Sequence, residues 1–405
     1  MQKLLRPIKS RLRKYRKFYL RIAPLFGVYR NIQIVGARLL HGYDDNMVLF
    51  SSFYNRTYSD SPRYISEALH AARPETKIVW TFDEPEGIRE RFDVPDYVQF
   101  YHTISPEGVR ALARARVVVD NASKRFYLKF PGRGQVYVQT WHGDRAFKKV
   151  GFDHAGHQVR MCEKYATLVT ASSDFGEKVL RSAFRYEGEV QKLGTPRNDI
   201  LVRNDPAERA AIRAKLNLDD DTRILVYAPT YRDTEYLARQ KQEVPLDLSR
   251  ALDTLERTTG EKWKCLVRAH YFSFGLSFED YSDRLIPASD YPEMNELLLI
   301  ADALLTDYST CASDFVLLRR PIYLYQNDVE KYQSQDREFY CPMSDYGYWI
   351  AHTPEELDRL IEQTTPERAA ENCDQIMQFY GMAETGRATE ATVEYIISKL
   401  APVKK

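Results

Sequence analysis

The sequence predicts an α/β protein with two Rossmann-like domains. Short apolar runs of strand length alternate with helix-like segments along most of the 405 residues, which is typical of parallel sheets with helical crossovers. The alternation is interrupted at 204–221 by a polar connection that is expected to contain a helix, and then restarts. We therefore divide the chain into a basic segment at 1–43, a first domain at 44–205 and a second domain at 206–405. A cleft is expected between the two domains.

The first domain is expected to alternate six strands with three helices. The strands are predicted at 47–50, 77–82, 117–119, 136–141, 168–171 and 190–193. The helices are predicted at 62–72, 106–115 and 175–183. Helix 62–72 has a proline near its start, where a missing backbone N–H is tolerated.

The second domain restarts the same pattern. Strands are predicted near 224–228, 264–269, 303–306 and 321–325, and helices near 246–258, 293–301, 311–319, 355–363 and 387–400. The last of these helices is expected to pack back on the first domain. The chain has neither a Gly-x-Gly-x-x-Gly nor a Gly-x-x-x-x-Gly-Lys sequence, which argues against dinucleotide oxidoreductases and P-loop NTPases.

The composition is that of a soluble globular protein, with 44% apolar and 28% charged residues. No run approaches the roughly 20 apolar residues needed to cross a bilayer, and no secretory signal is visible. Five scattered cysteines show no metal-ligand spacing, so we interpret them as reduced thiols of a cytoplasmic protein. They are Cys162, Cys265, Cys311, Cys341 and Cys373.

The basic segment has the pattern of an amphipathic helix. Residues 1–43 carry eleven Lys and Arg and no acidic residue, whereas the rest of the chain has a formal charge of −10. Apolar residues recur at alternating spacings of three and four, which places them on one face of a helix. They are Leu5, Ile8, Leu12, Tyr15, Tyr19, Ile22 and Phe26. Pro7 and Pro24 are expected to bound or kink this helix.

A basic amphipathic helix of this kind favours binding to an anionic membrane surface. Each Lys or Arg near such a surface contributes about 1 kcal/mol. The alternative is an ordinary helix that packs on its own domain with a solvated charged face. Nucleic-acid binding is the least favoured option, because nothing resembles a stacking-aromatic RNA motif.

The stretch at 306–310, TDYST, has the features of a phosphate site. It follows the predicted strand 303–306 and precedes the predicted helix 311–319, so Ser309 and Thr310 lie where a strand ends and a helix begins. Backbone N–H groups and the helix dipole favour an anion at such a junction. Simple capping of the helix by either hydroxyl is the alternative.

Three other predicted strands also end in polar residues. QTWHG places His142 after one strand, PTYRD places Arg232 after another, and Arg268 and His270 follow a third. In open α/β sheets, ligands bind outside the carboxyl ends of the strands, so these residues are expected to share one crevice. A single histidine in such a place is more often structural, but the whole set is better explained by a binding site.

These motifs together resemble those of the CDP-glycerol glycerophosphotransferase family of teichoic acid synthesis. They are QTWHG at 139–143, GTPRND at 194–199, YAPTYRD at 227–233, NELL at 295–298, TDYST at 306–310 and SDF at 313–315, with YSDSP at 58–62 similar to the amino-terminal motif. The resemblance extends over about 46–350. It implies a GT-B fold, association with the cytoplasmic face of the membrane, and transfer of glycerol phosphate from CDP-glycerol with release of CMP.

The resemblance implies catalytic roles for two histidines. His142 is expected to act as the general base that takes the proton of the acceptor hydroxyl, a task that neutral imidazole performs near pH 7. His270, on the facing domain, is expected to donate to the pyrophosphate of the donor, together with Arg268.

The resemblance also implies a set of substrate-binding residues, because phosphoryl transfer requires charge stabilisation on the phosphate oxygens. Ser309 and Thr310 are expected to hold phosphate. Arg232 is expected to add positive charge, and Thr230 belongs to the same set. No cofactor or metal is expected, because GT-B enzymes commonly use protein charge and a helix dipole instead, and no carboxylate cluster suited to Mg²⁺ is visible.

Three further members of the expected substrate-binding set have structural alternatives. Asp307 and Asp314 would each orient a backbone or ribose group, or else serve only the fold. Arg197, with Asn198, would face the cleft or lock the turn that ends the first domain, and the turn role is preferred.

The chain departs from the family pattern beside both histidines. The family usually has Thr-Pro-Leu-Lys after His-Gly, whereas residues 144–148 read Asp-Arg-Ala-Phe-Lys, and Tyr271 stands where proline usually follows the second histidine. Asp144 is expected to orient His142 or raise its basicity, and Arg145 to reach an anionic acceptor. These differences affect the identity of the acceptor more than the class of donor.

The length suits a primase that adds one glycerol phosphate to a lipid-linked disaccharide. A polymerase of glycerol or ribitol phosphate, in teichoic acid or capsule synthesis, is an alternative, as is CDP-ribitol as the donor. A GT-B nucleotide-sugar glycosyltransferase is a second alternative. A membrane-bound assembly factor without catalysis is a third, against which the presence of both His142 and His270 argues.

Overall fold

A computed structural model describes most of the chain, with side chains described from residue 27 onward. The described ranges are 16–122, 130–154, 162–230, 246–268, 282–335 and 338–402. Within them the protein contains two parallel sheets flanked by helices. The prediction of an α/β fold with parallel sheets is therefore confirmed.

The first sheet has seven strands, all parallel to their neighbours. They are β1 (Asp44–Ser51), β2 (Lys77–Phe82), β3 (Gln99–His102), β4 (Ala115–Asp120), β5 (Val136–Gln139), β6 (Leu168–Thr170) and β7 (Glu189–Gln191). Their order is β3-β2-β1-β4-β5-β6-β7. The strand order reverses between β1 and β4, and the carboxyl ends of strands at such a reversal are where open α/β sheets bind ligands.

The second sheet has six parallel strands. They are β8 (Thr222–Ala228), β9 (Lys262–Val267), β10 (Leu285–Pro287), β11 (Ala303–Thr306), β12 (Ile322–Tyr325) and β13 (Trp349–Ala351). Their order is β10-β9-β8-β11-β12-β13, with the reversal between β8 and β11. Both β11 and β12 are buried along their whole length, which explains why they read as continuous apolar runs.

Fourteen α-helices lie within the described residues. They are α1 (Arg16–His41), α2 (Asp60–Ala72), α3 (Ile88–Phe92), α4 (Pro106–Arg114), α5 (Asp174–Phe184), α6 (Asp199–Arg203), α7 (Pro206–Lys215), α8 (Leu248–Thr259), α9 (Met294–Ile300), α10 (Cys311–Phe315), α11 (Val329–Gln335), α12 (Pro354–Glu362), α13 (Pro366–Tyr380) and α14 (Ala388–Lys399). Capping side chains fix several helix starts: Ser105, Ser173, Asp247 and Thr365 each accept a backbone N–H from the first turn.

The strands that sequence analysis did not predict are edge strands. β3, β10 and β13 each lie at one end of a sheet and are three or four residues long. A strand with one neighbour is half-exposed, so it carries no continuous apolar run and gives a weak sequence signal. The helices α3, α6, α11 and α13 were not predicted either.

The first helix, α1, continues through Pro24, where the sequence predicted a boundary or a kink. It packs on α4: Ile34 forms a small buried cluster with Val109 and Ala113. Residues 1–15 lie outside the described residues, as do the side chains up to residue 26, so the predicted apolar stripe stays a prediction. Within the described residues, no helix is both long enough and apolar enough to span a membrane.

The last helix, α14, belongs to the core of the first domain. Val393 and Ile396 are buried in the same cluster as Phe50 and Trp80 of the first sheet. Its first residues are bonded to the same domain, because Ala388 and Thr389 donate their backbone N–H groups to the carboxylate of Asp199 at 3.0 and 2.7 Å. The preceding helix, α13, packs instead in the core around the second sheet, where Ile376 is buried. The end of the chain therefore ties the two domains together.

Candidate active site

His142 lies just beyond the carboxyl end of β5, in a turn that the sequence fixes locally. Trp141 has a φ of +50°, and its N–H donates to the side-chain oxygen of Gln139 at 2.8 Å. The half-buried ring of His142 points Nδ1 at the backbone oxygen of Asn121, 2.6 Å away. Because a carbonyl oxygen only accepts, Nδ1 carries the proton, and Nε2 of the neutral ring carries the lone pair.

Two aromatic rings flank the imidazole of His142. The centroid of the Trp141 ring lies 4.3 Å away, and that of Phe53 lies 5.5 Å away in an edge arrangement. Phe53 begins three consecutive residues with φ between 43° and 65° after β1, and its N–H donates to the side-chain oxygen of Asn121 at 2.8 Å. Asn121 therefore holds both the imidazole and this loop. The positive φ angles of the loop cost conformational energy in residues other than glycine.

In the second domain, Asp307 joins the carboxyl ends of the two strands at the reversal point. Its Oδ1 accepts the backbone N–H of Thr230, after β8, at 2.8 Å, and that of Tyr308 at 2.5 Å. Its backbone oxygen accepts from the amide of Gln326, after β12, at 2.9 Å. These contacts give Asp307 a role in holding three strand ends in register.

Ser309 and Thr310 follow β11 and precede α10. Both are partly exposed. The Ser309 hydroxyl accepts the N–H of Cys311 at 3.4 Å, a long contact. Among the described residues, the Thr310 side chain makes no capping bond to the helix. The capping alternative therefore accounts for Ser309 better than for Thr310.

The turn at His142 meets the turn at Thr310 across the two domains. A Cβ atom built on Gly143 would lie 3.2 Å from both Oγ1 and Cγ2 of Thr310. Gly143 is buried, so this approach is a packed contact. The structure thus brings the predicted base and the predicted phosphate-binding turn to one place.

Asp314 lies buried between the domains, at the centre of a charged cluster. Its Oδ2 accepts from Arg197 at 3.1 and 3.2 Å, and its Oδ1 accepts from Asn198 at 2.8 Å. Burial alone would raise the pKa of Asp314, but Arg197 and Arg145 outweigh burial and hold the pKa below its ordinary value. Arg197 also lies 3.5 Å from a carboxylate oxygen of Asp60. Asp314 and Arg197 thus bond the two domains to each other, and their predicted roles in substrate binding or in the turn stay predictions.

Asp144 and Arg145 are engaged differently from what the sequence predicted. Oδ2 of Asp144 accepts from both the N–H and the hydroxyl of Ser172, at 2.7 and 2.5 Å. The Arg145 side chain is 1% exposed and donates to Asp314, and to Glu384 at 2.9 Å. The expectation that Arg145 reaches an acceptor is wrong for this arrangement, because both ends of its guanidinium are paired inside the protein.

A second charged contact between the domains involves Glu293, just before α9. Its Oε2 accepts the N–H of Asp60 at 2.8 Å and lies 3.9 Å from Arg63. Burial raises the pKa of Glu293 to about 7, although Arg63 lowers it. Arg63 also pairs with Glu296 at 2.9 Å. The predicted YSDSP motif therefore contacts the second domain.

Arg268 follows β9 and fixes the next loop. Its guanidinium donates to the backbone oxygen of Ala288 at 3.1 Å and to that of Ser289. Burial lowers the pKa of Arg268, against the influence of Glu293. Two other predicted site residues, Arg232 and His270, lie outside the described residues, and their roles stay predictions.

Sequence reasoning missed Asn121 and Phe53. Asn121 directly follows the apolar strand β4, so the signal used for His142, a polar residue at a strand end, was present. Phe53 gave no comparable signal, because an aromatic residue in a loop does not indicate that three consecutive residues adopt the left-handed backbone conformation. Within the described residues, no group of three or more His, Cys, Asp or Glu is placed to hold a metal ion.

The chain matches known proteins over most of its length. A family model described as CDP-glycerol:poly(glycerophosphate) glycerophosphotransferase matches residues 34–398. The teichoic acid poly(glycerol phosphate) polymerase of Staphylococcus epidermidis is 31% identical over 78% of this chain, which spans 46% of that protein. A polymerase of the same name from Bacillus spizizenii is 27% identical, with 95% of this chain and 98% of that protein aligned. The Staphylococcus aureus teichoic acid glycerol-phosphate transferase is 28% identical over 73% of this chain.

Among solved structures, the wall teichoic acid polymerase TagF has the same architecture. It aligns with a TM-score of 0.77 and 27% identity, over 96% of this chain and 98% of that one. This agrees with the GT-B-like arrangement of two parallel sheets expected from the sequence. Since the family model covers the two sheets and the segments that carry His142 and Thr310, the chain belongs to the family of CDP-glycerol:poly(glycerophosphate) glycerophosphotransferases.

Proposed function

We propose that this protein transfers glycerol phosphate from CDP-glycerol to a hydroxyl group of a lipid-linked saccharide in teichoic acid synthesis. The acceptor oxygen forms a bond to the phosphorus that carries glycerol. The pyrophosphate P–O bond on the other side of that phosphorus breaks, and CMP leaves. The proton of the acceptor hydroxyl passes to His142.

The contact between Gly143 and Thr310 carries this proposal. Acceptor activation and phosphate binding are needed within a few ångströms of each other, because in-line transfer joins an acceptor oxygen to the donor phosphorus. The turn with the proposed base and the turn with the proposed phosphate ligands touch at this contact. Family membership supplies the class of donor.

The orientation of the imidazole supports the role of His142 as a base. Nδ1 is engaged by the carbonyl of Asn121 at 2.6 Å, so the proton-accepting nitrogen is Nε2. A backbone partner that fixes the tautomer is a common way to prepare a catalytic histidine. Such a base typically contributes a factor of about 10² to 10⁴ to the rate.

On the donor side, we propose that Ser309 and Thr310 bind phosphate, with His270 and Arg232 completing the site. Arg268 stabilises the charge of the donor from the end of β9. Asp307 acts through the backbone of Thr230, and Asp314 with Arg197 acts by holding the domains in place. No metal is required in this proposal. Unchanged turnover in excess EDTA is expected, and a loss restored by Mg²⁺ would refute that part.

The acceptor is proposed to be reached at the cytoplasmic face of a membrane, through the basic segment 1–43. Apolar side chains stand out from the described part of α1: Val28, Ile32 and Leu39 are 58%, 65% and 82% exposed and recur at helical spacing. Deletion of residues 1–30 should weaken binding to anionic vesicles and leave CMP binding unchanged. Equal vesicle binding by the shortened protein would refute this anchor.

Single addition, as by a primase, is our first proposal, and polymerisation is the second. The second is favoured by one observation: the Bacillus spizizenii relative, aligned over 98% of its length, is named a polymerase. A relative named a glycerol-phosphate transferase is also similar. Chain length therefore does not separate the two modes.

Product analysis tests the proposal. Purified protein is incubated with a soluble-tailed lipid disaccharide and, in parallel, with CDP-glycerol, CDP-ribitol or a UDP-sugar, and the products are weighed. One added glycerol phosphate with equimolar CMP is expected, and a ladder of additions would instead establish a polymerase. Turnover of a UDP-sugar with release of UMP or UDP would overturn the proposed donor class.

A further inference from the structure

We propose that Arg145 is a positioning residue for His142. It fixes the turn that carries the proposed base against the segment that carries Ser309 and Thr310. The inference rests on the proposed function and concerns a position where this chain departs from the usual family pattern. In this proposal Arg145 contacts neither substrate and affects the reaction only by fixing the positions of these two segments.

Arg145 is three residues from His142, yet its side chain is bonded to the second domain. The guanidinium pairs with Asp314, and its Nε donates to the hydroxyl of Ser313 at 3.4 Å. Both residues belong to α10, which starts directly after Thr310. The other end of the guanidinium donates to Glu384 at 2.9 Å, in the segment that leads to α14.

A short path of bonds connects Arg145 with the phosphate-binding turn. The hydroxyl of Ser313 accepts a long contact from Arg145 at 3.4 Å and donates to the backbone oxygen of Thr310 at 2.7 Å. Upstream of Arg145, Gly143 packs on the side chain of Thr310. The two turns are therefore held at two points, and they cannot separate without breaking bonds of a buried cation.

Arginine suits this position better than lysine. A buried guanidinium must keep its partners, because an uncompensated buried charge is strongly destabilising. Its planar fork satisfies Asp314, Glu384 and Ser313 in different directions, whereas an ammonium group is a single point of charge. Replacement by lysine keeps the charge and removes the fixed geometry.

A purely structural role would predict a different result. If Arg145 only holds the domains together, its replacement lowers stability and leaves the turnover of the folded protein unchanged. Arg209 provides a control distant from the site, since it pairs with Asp302 at 2.7 Å and Asp302 directly precedes β11, at the opposite end of that strand from Thr310. Arg145→Lys and Arg209→Lys therefore make the same chemical change near and far from the site.

The test compares both variants in the wild-type and His142→Ala backgrounds. We expect Arg145→Lys to lower kcat at least tenfold, with the Kd for CMP within twofold of wild type, and Arg209→Lys to change neither. Because Arg145 acts through His142, the same substitution should change kcat less than twofold once His142 is alanine. Equal losses in both backgrounds, or an unchanged kcat, would overturn the proposal.

A measurement independent of turnover separates this inference from the proposed function. In ¹⁵N spectra of the His142 ring, Arg145→Lys should shift the Nδ1 and Nε2 resonances and Arg209→Lys should leave them in place. Identical spectra would overturn the positioning role, whatever reaction the protein catalyses. If Arg145→Lys does not fold, Asp314→Asn is used instead. It removes the negative charge that pairs with Arg145 while keeping a side chain of similar size, and it is expected to give the same shifts. Full activity of His142→Ala would refute the proposed base instead.

Discussion

Nδ1 of His142 lies 2.6 Å from the backbone oxygen of Asn121. The carbonyl accepts a hydrogen bond and donates none, so this contact selects the tautomer in which Nδ1 carries the proton. Asn121 is itself held by Ser52, to whose hydroxyl its side chain donates at 3.2 Å. The base is thus oriented by the carboxyl ends of β1 and β4, where the strand order reverses.

This orientation predicts a single tautomer of neutral His142. Selective ¹⁵N labelling of histidine, with His142→Ala to assign the signal, should show a protonated Nδ1 and an unprotonated Nε2 at pH above the titration of the ring. The opposite pattern, with the proton on Nε2, would remove the basis for Nε2 as the proton acceptor.

Gly143→Ala should lower turnover with little effect on folding. The new Cβ would lie 3.2 Å from Thr310 Cγ2 and Oγ1, closer than an ordinary contact, so the two turns must move apart by a few tenths of an ångström. Small displacements of reacting groups are costly, and we expect kcat to fall by about tenfold. Steady-state rates at saturating CDP-glycerol measure this.

A second substitution at the same contact serves as the control. Thr310→Ser keeps the hydroxyl and removes the methyl group, so the Gly143→Ala/Thr310→Ser double variant should recover part of the lost kcat. Wild-type turnover by Gly143→Ala would show that the separation of the two turns does not limit the reaction.

The raised pKa of Glu293 predicts that the stability of the folded protein depends on pH. Burial raises its pKa from 4.5 to about 7 in the folded protein, so between these values the folded state binds more protons than the unfolded state. Its contribution to stability is therefore complete below about pH 4.5 and is lost as the pH rises through 7. The loss reaches at most about 1.4 kcal/mol per pH unit.

Glu293→Gln should remove this dependence. Thermal unfolding from pH 5 to pH 8 should show the Tm of the variant rising relative to wild type as the pH increases. Glu261→Gln, at an exposed carboxylate that pairs with Arg223, is the matched control and should follow wild type. A constant difference in Tm between Glu293→Gln and wild type would contradict the assignment.

Sequence reasoning located the interior of both sheets and the turns at their carboxyl ends. It succeeded for β1, β4, β8 and β11 because strands buried on both faces must be apolar along their length. It failed for β3, β10 and β13, which are edge strands. Helix α13 was missed for a different reason. Its signals were present in the sequence, since Thr365 and Pro366 at its start and Gly381 at its end are recognisable capping residues.

The candidate site shows the same division between local and distant information. The position of His142 after β5 follows from the local sequence, but its contact with Asn121 depends on the pairing of β4 with β5. Arg145 shows the limit most clearly. Its partners Asp314 and Glu384 are 169 and 239 residues away in the sequence. A positive charge close to the predicted base suggested contact with an anionic acceptor, whereas the fold buries this guanidinium between the two domains.

The rate of glycerol phosphate transfer by His142→Ala tests the central claim most directly. Transfer from labelled CDP-glycerol to the lipid disaccharide is measured with donor saturating, and the Kd for CMP is measured on the same preparation. We predict that kcat falls by about 10² to 10⁴ while CMP binding stays within twofold of wild type. Transfer at the wild-type rate would contradict the assignment of His142 as the base and the account of the site built around it.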